Sequence, residues 1–116
     1  MFQIITISDS ITLPELKSMS EKQFGSLVKA VVDIEKNIMA IGGEMHADEE
    51  SHLIMEGCKQ KNLWGINIYP DQMGEDRIEF DSMINIRPYM NNRSRRVENP
   101  ATQKIIMDIV SKLIKE

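Results

Sequence analysis

The stretch Leu27-Val-Lys-Ala-Val-Val-Asp-Ile-Glu35, continued by Lys36-Asn-Ile-Met-Ala-Ile41, decides the fold. It alternates: Val28, Ala30, Val32 and Ile34 share one face, while Lys29, Asp33 and Glu35 share the other. Successive side chains of an extended chain point to opposite sides, so this period of two marks a half-buried strand. Ile38 to Ile41 follows at once. A tight turn at Lys36-Asn37 would pair Ile34 with Met39 and Val32 with Ile41, which keeps one apolar face across both strands.

Working outward towards the C-terminus, Gly42-Gly43 interrupts the second strand, and a short helix is expected from Ala47 to Gly57. Leu63 to Tyr69 and Arg77 to Arg87 read as two further strands, joined by a turn region holding Pro70, Asp71 and Gly74. Ile66 and Ile68 in one, with Ile78, Phe80, Ile84 and Ile86 in the other, form a shared apolar face. Pro88 cannot donate to a ladder and ends the strand. Residues 89–98 are polar and read as a mobile loop. Asn99 then caps a final helix with Pro100 in its first position, and Ile105, Ile106, Ile109, Val110, Leu113 and Ile114 make its apolar stripe.

Towards the N-terminus, Thr12-Leu-Pro-Glu15 is a helix start: Thr12 caps, Pro14 sits in the first turn and Glu15 completes a capping box. That helix is expected to end near Gly25, and Phe2 to Ser8 is expected to be a strand. The elements add up to one α+β domain over residues 1–116, an antiparallel sheet of four to five strands with helices mainly on one face.

Composition narrows the function classes. With 116 residues, 41% hydrophobic and 28% charged, the chain can bury a core and has ordinary globular balance. Its apolar runs fall far short of the ~20 residues of a spanning helix. Met1 to Ser8 is apolar but short and lacks a basic leader, so no signal peptide is expected there. The single cysteine, Cys58, reads as a small buried hydrophobe and suits a reducing, cytoplasmic setting. A net charge of −4 disfavours a nucleic-acid partner. The distribution is uneven: Arg77, Arg87, Arg93, Arg95 and Arg96 crowd the second half, while Glu44, Asp48, Glu49, Glu50 and Glu56 come earlier. Opposite patches of this kind suit self-association, a small anion or a protein partner.

Two regions carry candidate chemistry. Glu44, His46, Asp48, Glu49 and His52 have metal-ligand chemistry on paper. On a helix beginning at Ala47, however, Asp48, Glu49, His52 and Glu56 fall on one side and Ala47, Ile54 and Cys58 on the other. That places the acids on a solvated face, where the first of them also suit the helix dipole. His46 lies in the irregular lead-in beside two glycines, where hydrogen bonding or general acid–base work, with Glu44 at hand, are the alternatives. Gly42-Gly43 lacks phosphate-cradle spacing and runs into acids.

The second region is the expected last strand. With Phe80, Ile84 and Ile86 inward, Glu79, Asp81, Asn85 and Arg87 project from the opposite face, beside Asn67 of the neighbouring strand. A carboxylate, amide and guanidinium on one sheet face suit a polar ligand or a divalent metal, although a wet sheet face explains them as well. Arg93, Arg95 and Arg96 could clamp an anion. Trp64 alternates with Ile66 and Ile68 and reads as a core anchor.

Ala40-Ile-Gly-Gly-Glu-Met-His-Ala-Asp-Glu49, Leu63-Trp-Gly-Ile-Asn-Ile-Tyr-Pro70 and Ile78-Glu-Phe-Asp-Ser-Met-Ile-Asn-Ile-Arg-Pro88 together resemble a small prokaryotic family of uncharacterised proteins defined by a domain of unknown function. The resemblance runs from the first hairpin to the final helix and implies a compact, single-domain protein without implying a mechanism. The residues favour a binding or interaction module, with a homo-oligomer expected, using the polar sheet face (Asn67, Asn85, Arg87) and the Arg-rich loop (Arg93, Arg95, Arg96). The alternative is a metal-dependent hydrolase or nuclease, in which a divalent metal would sit on Asp81 and Glu79, on Asp48 and His52, or near His46 and Glu44.

Overall fold

Alternation in the opening stretch does produce strands, and they lie at the centre of the sheet. The computed structural model describes residues 3–116. Its elements are β1 (Ile5–Ile7), β2 (Ile11–Thr12), α1 (Leu13–Lys22), β3 (Val28–Asp33), β4 (Ile38–Ile41), α2 (His46–Met55), β5 (Leu63–Ile68), β6 (Ile78–Glu79), α3 (Pro100–Leu113) and β7 (Ile114–Lys115). The main sheet is antiparallel in the order β1-β4-β3-β5-β6, and β2 pairs with β7 in a short parallel ladder. The fold is α+β. No helix among the described residues is long and apolar enough to cross a membrane.

The hairpin has a different register from the expected one. Val32 faces Met39 and Ala30 faces Ile41, with Asp33 opposite Ile38, so the loop spans four residues rather than two. Asp33 is the cause: its Oδ1 accepts from the N–H groups of Glu35 and Lys36, and Asn37 takes a positive φ of 59°. Asx-type bonding and a left-handed asparagine close a longer turn at little strain. The shift is two residues, an even number, so the apolar face is kept.

Both faces of the sheet are covered. Val28, Ala30, Val32, Met39, Ile41, Trp64, Ile66 and Ile68 pack against Leu16 of α1 and Ile106, Ile109, Val110 and Leu113 of α3. On the other face Val31, Ala40 and Leu63 meet Leu53 of α2, Cys58 and Ile84. Thr12 and Glu15 form the expected capping box, and α1 ends at Lys22, slightly before Gly25. Asn99 caps α3 through Ala101 N–H at 2.8 Å. Ile105 lies outside the buried stripe, half-exposed, and Ile114 leaves the helix to pair with Ile11. Of the expected strand from Phe2 to Ser8, Ile5–Ile7 is extended, and Phe2 lies outside the described residues.

Helix α2 departs from the sequence reading in its orientation. His46, Glu49 and Leu53 face the sheet, while Ala47 and Ile54 are exposed. A Schellman motif ends it, with Gly57 at φ 99° and Cys58 N–H bonded to Leu53 O at 3.0 Å. That end packs Leu53 and Cys58 together, which fixes the rotation and carries Glu49 into the interior.

The long strand expected over 77–87 is also corrected. Only Ile78–Glu79 pairs with β5, after which Met83–Asn85 forms a single 3-10 turn. Ser82 causes the break: its hydroxyl accepts from Ile84 N–H and its own N–H donates to Arg95 O. The alternation is lost there. Phe80 packs with the first core, Ile84 with the second, and Ile86 is exposed. Residues 89–98, read as a mobile loop, are instead tied down. Arg87 and Asn92 exchange two backbone bonds, Asn92 Nδ2 donates to Asn85 O and Arg96 O at 2.7 Å, and Val97 is fully buried.

Candidate functional site

The polar residues of the second face do not lie on an open wet surface. α2 and the 80–97 segment cover them, and between these two covers a cleft of about 180 Å³ remains. Lys29, His46, Asn67, Asp81 and Arg95 line it, with Met45 and Met83 beside them. His46 and Asp81, which the sequence placed in two separate candidate centres, therefore face one space.

Asn67 has the most telling geometry. It is 7% exposed. Its Nδ2 donates to Glu79 Oε1 at 2.8 Å and lies 3.4 Å from Asp81 O. Both of those atoms are acceptors, so the amide orientation is dictated by chemistry. Its Oδ1 is consequently turned away from them and is buried with no hydrogen-bond partner among the described residues. A buried acceptor left unmade costs about 1–3 kcal/mol.

His46, the first residue of α2, places Nε2 2.8 Å from Ile66 O. A carbonyl only accepts, so Nε2 carries the hydrogen and Nδ1 keeps its lone pair. Burial lowers the pKa of this imidazole; the Ile66 carbonyl and Asn67 oppose that shift, and Lys29 reinforces it. At neutral pH the ring is an uncharged acceptor.

Positive potential comes from three sources. Lys29 packs its ammonium 5.0 Å from the Phe24 ring centre and forms no ion pair among the described residues. Arg95 Nε donates to Asp81 Oδ1 at 2.6 Å, both side chains being about half exposed. The N-terminus of α2 has no side-chain cap, and Met45, His46 and Ala47 at that end line the cleft. Free N–H groups and the helix dipole favour negative charge there.

The remaining candidates have other partners. Asn85 and Arg87 are buried and hold the fold: Asn85 bonds Gly65, and Arg87 donates to Leu63 O and to Ile84 O at 3.1 Å while stacking over Trp64 and approaching Glu50 at 3.5 Å. Glu79 accepts from Asn67 and Tyr69. His52 is engaged by Thr6 and Glu56, and Glu44 and Asp48 are exposed. Arg93 lies in the loop held by Glu98, whereas Arg95 and Arg96 border a wider, open groove of about 810 Å³ with Glu75, Asp76 and Glu79. Among the described residues, no group of three or more His, Cys, Asp or Glu side chains is placed to hold a metal ion.

Two residues stand out that sequence reasoning misjudged. Lys29 was read only as the polar side of a strand. Glu49, assigned to a solvated face, is fully buried; burial pushes its carboxyl up to about 9, against the opposing pull of the Gly43 N–H bond at 3.0 Å. Its one legible signal is the Gly43 beside it, since a Cβ there would meet Glu49 Cγ at 2.8 Å.

A family model described as "Protein of unknown function (DUF5674)" matches residues 4–113. No curated protein and no solved structure matches the chain.

Proposed function

We propose a function from the site alone, since the chain belongs to the DUF5674 family of proteins of unknown function: it is a binding module for a small polar molecule, held in the cleft between α2 and the 80–97 segment. The observation that carries this reading is the unpartnered Oδ1 of Asn67, buried at the wall of a cleft that cationic side chains border. Pockets that use a few convergent polar groups in a concave site are the usual form of small-molecule recognition. The reading keeps two of the sequence expectations, the polar sheet face and the Arg-rich loop. It narrows them to Asn67 from the sheet and Arg95 from the loop, and adds Lys29.

The metal-dependent hydrolase or nuclease has less to stand on. Asp81 is engaged by Arg95, Glu79 by Asn67 and Tyr69, and Glu50 by Arg87; Asp48 faces solvent, and burial favours the protonated form of Glu49.

The test is a set of ¹H–¹⁵N correlation spectra recorded with mixtures of small polar fragments. Perturbations gathered on Lys29, His46, Asn67 and Arg95 are the expected result. Perturbations confined to the surface of α3, or none from any fragment, would sink the proposal.

A further inference from the structure

We propose that the cleft takes a small organic anion carrying its own hydrogen-bond donor: a carboxylate or phosphate with a hydroxyl or N–H group nearby. The inference rests on the reading of the cleft as a binding site and adds the chemical class of its ligand.

Charge comes first. Lys29 has no carboxylate partner among the described residues, and the uncapped start of α2 adds its positive end to the same space. Asp81, the acid on the cleft wall, is already neutralised by Arg95. A cationic ligand would meet Lys29 and the helix terminus with no free counter-charge, whereas an anion meets both as attraction.

The donor requirement comes from the other wall. Asn67 Oδ1 is a fixed, buried acceptor without a partner, because Glu79 and Asp81 O hold the amide nitrogen on the opposite side. A bare anion would leave this acceptor unsatisfied and bring its own charge against it. An anion with a hydroxyl or N–H satisfies it.

Arg95 explains how the cleft can close on such a ligand. Its carbonyl is pinned by Ser82 N–H and by Asn85 Nδ2, each at 3.0 Å, while its guanidinium is half exposed. With its Nε on Asp81, the guanidinium still has its terminal N–H groups to offer a ligand anion, with no movement of the backbone. About 180 Å³ corresponds to roughly six waters, which limits the ligand to a few heavy atoms within the cleft.

Calorimetric titration and spectra of the full chain with four probes test this: glycerate, glycerol 3-phosphate, propionate and glycerol. Glycerate or glycerol 3-phosphate is expected to perturb the cleft, and which of the two binds tighter assigns carboxylate or phosphate. Propionate, which lacks the donor, and glycerol, which lacks the charge, are each expected to bind about tenfold more weakly or worse. Lys29→Gln and Arg95→Gln, both at solvent-reachable positions, should weaken the anion by about tenfold each. Asn67→Ala should shrink the gap between glycerate and propionate. If that variant fails to fold, the gap in the unmodified protein still decides the point. Equal binding of propionate and glycerate would overturn the donor requirement. Neutral or cationic fragments perturbing the cleft where both anions do not would overturn the ligand class and leave the cleft a binding site. Silence from every fragment and probe would overturn both.

Discussion

The side-chain amide of Asn85 occupies the place of a neighbouring strand beside Gly65, accepting from Gly65 N–H at 2.8 Å and donating to Gly65 O at 2.9 Å. β6 pairs with β5 only at Asn67 and Ile68, so the ladder is carried one step further by a side chain. Asn85 is fully buried, and its Nδ2 also holds Arg95 O, which links the sheet to the loop that borders the cleft.

Replacing Asn85 by alanine removes these bonds and leaves buried backbone groups of Gly65 unpaired. The expected loss is about 3 kcal/mol, seen as a lower urea midpoint with an unchanged slope. A loss within about 0.5 kcal/mol, the range of an ordinary surface change, would mean that water replaces the amide.

Gly65 is required for space. A Cβ there would lie 2.5 Å from Ser82 Cβ and 2.6 Å from its Oγ. Gly65→Ala should destabilise by about 1–3 kcal/mol through overpacking, despite the better strand propensity of alanine. Adding Ser82→Gly should restore part of that loss, and strictly additive effects of the two changes would contradict the contact.

Glu49 makes stability fall as pH rises. Its carboxyl stays protonated up to about 9 in the folded protein, against 4.5 as the ordinary value. Between these limits the folded state holds a proton that the unfolded chain has released, so each pH unit weakens the fold by about 1.4 kcal/mol at most. Glu49→Gln keeps an acceptor for Gly43 N–H and should flatten this slope, gaining stability most clearly at pH 8. Melting curves of both proteins from pH 5 to pH 9 check it; parallel curves would place the Glu49 pKa near its ordinary value.

His46 acts in the opposite sense. Its lowered pKa means that the unfolded chain takes up a proton before the folded protein does. Its contribution is present above the ordinary 6.5 and is lost as pH falls towards the folded value. Long-range ¹H–¹⁵N spectra should show the Nε2–H tautomer at pH 7 and a midpoint below the ordinary 6.5. A midpoint at or above 6.5 would contradict the buried environment.

Arg87 carries a buried positive charge whose removal strands Glu50. Arg87→Met should cost about 3 kcal/mol, and a second change, Glu50→Gln, should recover part of it. Absence of coupling in that double-mutant cycle would mean that the guanidinium acts only through Leu63 O, Ile84 O and the Trp64 ring.

Local rules explain what was legible beforehand. The Thr12–Glu15 capping box, the Asn99 cap and the period of β3 depend on residues a few positions apart, and each stands in the fold. The misread features depend on distant partners. Ser82 turns the chain because Arg95 O receives its N–H, and Glu49 turns inward because Leu53 and Cys58 pack under α2. Apolar periodicity cannot signal either one.

By itself the sequence determined the α+β class, the central hairpin with its apolar face, and the two well-capped helices, because backbone capping and side-chain alternation are short-range. Only the tertiary structure decided which polar residues meet. Asn85 and Arg87 went into the framework, while Lys29, His46, Asn67 and Arg95 came together around one cleft. These four belong to four separate segments. Their meeting depends on how α2 and the 80–97 segment settle over a single sheet face, and that is set by close packing and buried hydrogen bonds between residues far apart in the chain.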